Sequence, residues 1–176
     1  MRSTTDSKPV RQRRKIMFKT KNDLPESTRV KVIELLNARL ADSIDLQTQA
    51  KQAHWNVKGP HFIGLHELFD KINEEVEDYV DDIAERAVQL GGVAEGTARV
   101  VAKRSTLQEY PLNAVDGRTH VDALSSALAA FGKVIRQGID QADELGDKDT
   151  ADLFTEISRG IDKSVWFVEA HLQAER

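Results

Sequence analysis

The sequence contains no cysteine, which removes disulfides and thiolate metal sites from consideration. No apolar run approaches the roughly 20 residues of a membrane span, and there is no secretory h-region. A cytoplasmic location without membrane contact is the expectation that follows. Strand-like alternation, internal repeats and a nucleotide-binding glycine motif are missing too. What remains is an all-helical chain of 176 residues, long enough for one domain with a substantial core.

The net charge of −4 conceals an asymmetry. Residues 1–21 hold eight Lys or Arg against the single acid Asp6, a net of +7, whereas the remaining 155 residues carry −11. Residues 1–24 therefore read as a basic, solvated arm and 25–176 as the folded domain. Lys8, Arg11, Arg13, Arg14, Lys15, Lys19 and Lys21 could meet phosphates and release condensed counterions. A solubilising tail or a targeting presequence explains the same composition.

Helical periodicity begins at Pro25. Ile33, Leu36, Leu40, Ile44 and Gln47 form one stripe, supported by Leu35 and Ala41, and Lys58-Gly59-Pro60 ends it. The second helix carries Phe62, Leu65, Phe69, Ile72, Val76, Tyr79, Ile83, Ala87 and Leu90, and stops at Gly91-Gly92. A long connection over 93–116 contains a short helix near Thr97–Lys103. The third helix runs from about Thr119 to Leu145 and ends at Gly146. The fourth starts near Asp149, read as its N-cap, and continues through Phe154, Ile157, Ile161, Val165, Val168 and Leu172. The links between the four long helices are short, long, short. One long crossover in the middle is the ferritin-like arrangement of a four-helix bundle.

The second helix holds the candidate chemistry. His66 and Asp70 near its start, and Asp81 and Glu85 near its end, each have i,i+4 spacing and share a face. Fifteen residues of helix separate the two pairs, roughly 22 Å, too far for one metal ion. The positions of His66 and Glu85 add to 151, as do those of Asp70 and Asp81. A two-fold pair of these helices, centred between Glu75 and Val76, would set each histidine end against a carboxylate end. His54 lies before the Gly59-Pro60 break and His66 after it, so the turned chain can bring the imidazoles within about one helical turn. Histidines with carboxylates and no sulfur suit iron, manganese or zinc, and open coordination positions favour iron. The competing reading is a solvated acidic face, which accounts for Glu74, Glu75, Glu77, Asp78 and Asp82. Di-iron bundles that bind within one subunit use Glu-x-x-His motifs. Here Lys51, Lys58, Ile63, Gly117 and Val168 stand three residues before the five histidines, which favours a site between subunits. His61, His120 and His171 read as structural.

The segments AHWNVKGPHFIGLHELFD and DDIAERAVQLGGVAEGT, with DKDTADLFTEISRGIDKSVWFVEAHLQ, resemble the Dps family, the mini-ferritins or DNA-binding proteins from starved cells. The likeness spans about residues 25–174. It implies ferritin-like subunits assembled as a hollow homododecamer that oxidises Fe(II) at centres shared across two-fold interfaces. By the same resemblance hydrogen peroxide would be the preferred oxidant, oxygen a slower one, and ferric mineral would be stored inside. His54, His66 and Asp70 would come from one subunit, and Asp81 and Glu85 from the other. Zinc competes for the same donors. Trp55 matches the family's tryptophan beside the centre, as redox reporter or packing residue. Asp143, Asp147, Asp149 and Asp152, with Glu144, match acids that line an iron-entry pore at a three-fold axis. The arm would add non-specific DNA binding, with nucleoid association. Two other functions compete with this ferroxidase: a DNA-compacting architectural protein with a vestigial centre, and a helical interaction module without metal.

Overall fold

The computed structural model describes residues 16–173. Its elements are α1 (Glu26–Asn56), α2 (Phe62–Gln89), α3 (Ala98–Arg104), α4 (Gly117–Glu144) and α5 (Lys148–Glu169), with no strand among the described residues. α1 packs along α2 and α4 along α5. The two hairpins then join through α1 against α4 and α2 against α5, and the short α3 lies on α1. This is the expected ferritin-like four-helix bundle with its long crossover.

The core is one layer of side chains from all four long helices, with Phe69, Phe131 and Phe154 fully buried beside Leu36, Leu40, Leu124 and Ile135. α2 buries Leu65, Phe69, Ile72, Val76, Ile83 and Ala87, as its periodicity predicts. Phe62 is partly exposed, beyond the end of the stripe, with its ring 5.1 Å from that of His66. Between α2 and α5 the Tyr79 hydroxyl lies where a Cβ on Gly160 would stand, 1.8 Å from it, so only glycine permits this approach. The breaks follow the glycines: Gly59, Gly91 and Gly146 all have positive φ, which residues with a Cβ rarely adopt.

The core stripe of α1 departs from the expected one. Beyond Leu40 it runs through Ser43, Leu46, Ala50 and Ala53, while Ile44 and Gln47 turn toward a groove under α3. The reason is that α1 has neighbours on two sides, so its buried arc is wider than one apolar stripe. Polar residues fill the second side. Asn37 donates to the Val93 carbonyl and accepts from Glu95 N–H; Asp42 accepts from Thr106 N–H and hydroxyl; Gln49 donates to the Gln108 carbonyl. These bonds order the crossover without an apolar core of its own.

Residues 16–24, within the segment read as the arm, lie extended against the bundle. Phe18 N–H donates to the Gly91 carbonyl at 2.8 Å, and Arg29 in α1 donates to the Leu90 carbonyl at 2.9 Å. Lys19 and Lys21 are exposed here; Lys8, Arg11, Arg13, Arg14 and Lys15 lie outside the described residues.

Candidate metal centre

The break at Gly59 folds α2 back along α1 and sets His54 directly against His66. Their rings stack with centroids 3.7 Å apart and 23° between planes. His54 Nδ1 lies 2.8 Å from the His66 carbonyl, and His66 Nδ1 lies 2.9 Å from the His54 carbonyl. A carbonyl only accepts, so each Nδ1 is the protonated nitrogen. Each Nε2 then keeps its lone pair, the tautomer a metal requires, and the backbone carbonyl holds the ring in place. His54 is buried and His66 half-buried.

Asp70 stands one helical turn after His66, with Oδ1 3.8 Å from His54 Nδ1. The same oxygen accepts from the ammonium of Lys51 on α1. That bond holds the Asp70 carboxyl below the usual carboxylate range, helped by the nearby histidines and opposed by partial burial. Lys51 was not singled out from the sequence, though a signal existed. In the α1–α2 hairpin the positions of Lys51 and Asp70 add to almost the same total as those of His54 and His66, which marks them as neighbours across the pair.

Asp81 and Glu85 are exposed on the far half of α2. They are not brought to the histidines within one chain, and among the described residues no group of three or more His, Asp or Glu side chains is placed to hold a metal. Trp55, next to His54, is 66% exposed at the mouth of the groove beneath α3.

The acids of the α4–α5 turn divide by environment. Asp147, not Asp149, caps α5: its carboxylate accepts from Thr150 N–H at 3.1 Å and Thr150 hydroxyl at 2.7 Å. The box needs the acceptor three residues before the donor, which Asp147 satisfies. Asp147 is also buried against Arg86, which donates to it at 2.8 Å. Asp143 pairs with Lys148, while Asp149 and Asp152 are exposed.

A family model described as Ferritin: Ferritin-like domain matches residues 33–176. A relative from Agrobacterium fabrum, named DNA protection during starvation protein, is 48% identical over 155 residues, 88% of this chain and 96% of that one. A protein of the same name from Mycolicibacterium smegmatis is 34% identical over 143 residues, 81% of this chain and 78% of that one. The solved structure of DpsA14 from Streptomyces coelicolor superposes with a TM-score of 0.86 at 32% identity, covering 91% of this chain and 95% of that one. Fold and family match define a ferritin-like protein. Within that class the chain belongs to the Dps family.

Proposed function

We propose that the protein is a ferroxidase and iron store that oxidises Fe(II) with hydrogen peroxide, with oxygen as a slower oxidant, and thereby protects DNA. The observation that carries this reading is the crossed pair of bonds between His54 and His66, which leaves both Nε2 atoms as metal-binding donors. Fe(II) is the substrate, and zinc competes for the same nitrogens. His54, His66 and Asp70 of one subunit would hold it together with the Asp81 and Glu85 positions of a second. Carboxylates stabilise the ferric product, so the acid half favours oxidation, while imidazoles retain the ferrous ion before it. Lys51 occupies one oxygen of Asp70, which suits one firm and one weaker cation position.

The assembly is proposed to be a homododecamer, because the site needs two subunits and the family resemblance implies a shell. Asp152 and Asp149 are exposed, Asp149 with only a 3.8 Å approach to Arg86, so they are the better candidates for a cation path; Asp143 and Asp147 are engaged with Lys148 and Arg86. The basic residues from Lys8 to Lys21 would give sequence-independent DNA contact, strongly weakened by salt and multiplied across the shell. The name of the Agrobacterium fabrum relative supports the protective role.

Peroxide-driven Fe(II) oxidation by wild type and by the double variant Asp81→Ala/Glu85→Ala tests the centre. The expected stoichiometry is two ferrous ions per peroxide, since each ion gives one electron and peroxide takes two to become water. Equal rates in the two proteins would remove the proposed centre. A gel shift with and without residues 1–15, at matched salt, tests the arm.

A further inference from the structure

Between Ile16 and Leu24 the chain lies as a strap along the bundle. Ile16 and Phe18 are 63% and 59% exposed, and Lys19, Thr20 and Lys21 face solvent. Met17 turns the other way. It is half-buried and packs against the hydrophobic core, as does Leu24 at the far end of the strap. The alternation of Ile16, Met17 and Phe18 is that of an extended chain, whose successive side chains take opposite sides.

The two ends of the strap are held differently. At one end the Leu24 carbonyl accepts from Arg29 Nε at 3.1 Å, and α1 begins two residues later. At the other, Phe18 N–H donates to the Gly91 carbonyl. The Phe18 carbonyl oxygen lies 2.6 Å from where a Cβ on Gly91 would stand, so glycine permits the approach. Asn22 N–H to the Thr20 hydroxyl and Leu24 N–H to the Asn22 carboxamide are bonds within the strap itself. Among the described residues the Met17 end thus depends on one thioether and one hydrogen bond. A hydrogen bond near solvent exchanges with water at small net gain, so burial of the thioether is the larger part of the hold.

We infer that Met17 is a site of sulfoxidation by hydrogen peroxide, and that its oxidation releases residues 16–23 from the bundle. The chain has two methionines, Met1 and Met17, and no cysteine to react first. Thiolates and thioethers are the side chains that peroxide oxidises by two electrons. Met17 keeps partial contact with solvent, enough for a molecule as small as peroxide. A sulfur lone pair attacks one peroxide oxygen; the S–O bond forms and the O–O bond breaks. The second oxygen leaves as water with both protons, so sulfur loses two electrons and peroxide gains them. The sulfoxide is polar where the thioether was apolar, and it no longer favours the core. The strap that carries Lys19 and Lys21 then detaches at its Met17 end. Methionine sulfoxide is reduced by dedicated reductases, so the change is reversible. No iron takes part, and the inference stands apart from the ferroxidase reading: peroxide alone is the co-reactant.

The test treats the assembled protein with hydrogen peroxide in the absence of iron. Peptide mass spectrometry locates added oxygen, while amide exchange over residues 16–24 and tryptic cleavage after Lys19 and Lys21 report on the strap. One oxygen is expected on Met17, with loss of protection at the Phe18 amide and several-fold faster cleavage. Met17→Leu, apolar and without sulfur, should keep its protection in the same peroxide. Met17→Gln, whose carboxamide approximates the polarity of the sulfoxide, should lack that protection before any peroxide is added. A Met17 that stays unoxidised in the folded protein, under peroxide that oxidises it in urea, overturns the inference. It falls equally if Met17 sulfoxide leaves exchange and cleavage unchanged, if Met17→Leu loosens as wild type does, or if Met17→Gln is as protected as untreated wild type.

Discussion

Arg86, near the end of α2, donates to Asp147, the cap of α5, so one carboxylate ties α2 to α5 at one corner of the bundle. Both oxygens of Asp147 are engaged, one by Arg86 and the Thr150 amide and the other by the Thr150 hydroxyl. The Arg86 side chain is 12% exposed and that of Asp147 2%. Removing either partner strands the other charge away from water. Arg86→Ala is therefore expected to lose about 3–5 kcal/mol of stability, read as a lower midpoint in urea unfolding.

The division of the proposed site between two chains has a statistical signature. Mix a His54→Ala/His66→Ala chain with an Asp81→Ala/Glu85→Ala chain, unfold them together and reassemble. Neither alone forms a complete centre. In a random mixture half of the two-fold pairs are mixed, and each mixed pair has one intact centre of two. Peroxide-driven oxidation should recover to one centre in four. Recovery of none would place the site within a single chain.

Lys51→Met should release Asp70. The variant is expected to bind a redox-inert divalent ion such as Co(II) more tightly or at higher stoichiometry, measured by titration calorimetry. The Asp70 carboxyl should also titrate at higher pH than in wild type, because the Lys51 bond is the largest cause of its depression.

Acid should weaken the fold through His120. Its imidazole is held below the ordinary value chiefly by burial, so the unfolded chain binds the proton more readily. Stability is then full above the unfolded value of about 6.5 and declines as pH falls below it. Urea midpoints measured between neutral and mildly acidic pH should show this slope, and His120→Gln should flatten it.

Gly160→Ala tests the approach of α2 to α5. Alanine favours helix by up to about 1 kcal/mol over glycine, yet its Cβ would occupy the place of the Tyr79 hydroxyl. Overpacking of this kind costs about 1–3 kcal/mol. A net loss is expected in thermal unfolding, and Tyr79→Phe in the same chain should recover part of it.

The helices and their ends were legible because periodicity and glycine punctuation are local. α2 is the clearest case, with buried positions that follow the apolar steps from Leu65 to Ala87. α1 was less legible after Leu40, since burial by the crossover enlists Asp42, Ser43 and Gln49, which no hydrophobic pattern marks. The meeting of His54 and His66 followed from the break between them. Lys51 on Asp70, Arg86 on Asp147 and Tyr110 on His120 did not follow, because each is a contact between elements. Asp147 and Asp149 are equally good caps by residue type. Only the placement of Thr150 distinguishes them.

The bond between Phe18 and Gly91 also fixes a tether. It attaches residues 16–24 near the C-terminal end of α2, so the exposed Lys19 and Lys21 stay at the wall of the bundle. Their two positive charges thus hold a fixed place on the surface, set by a single backbone anchor.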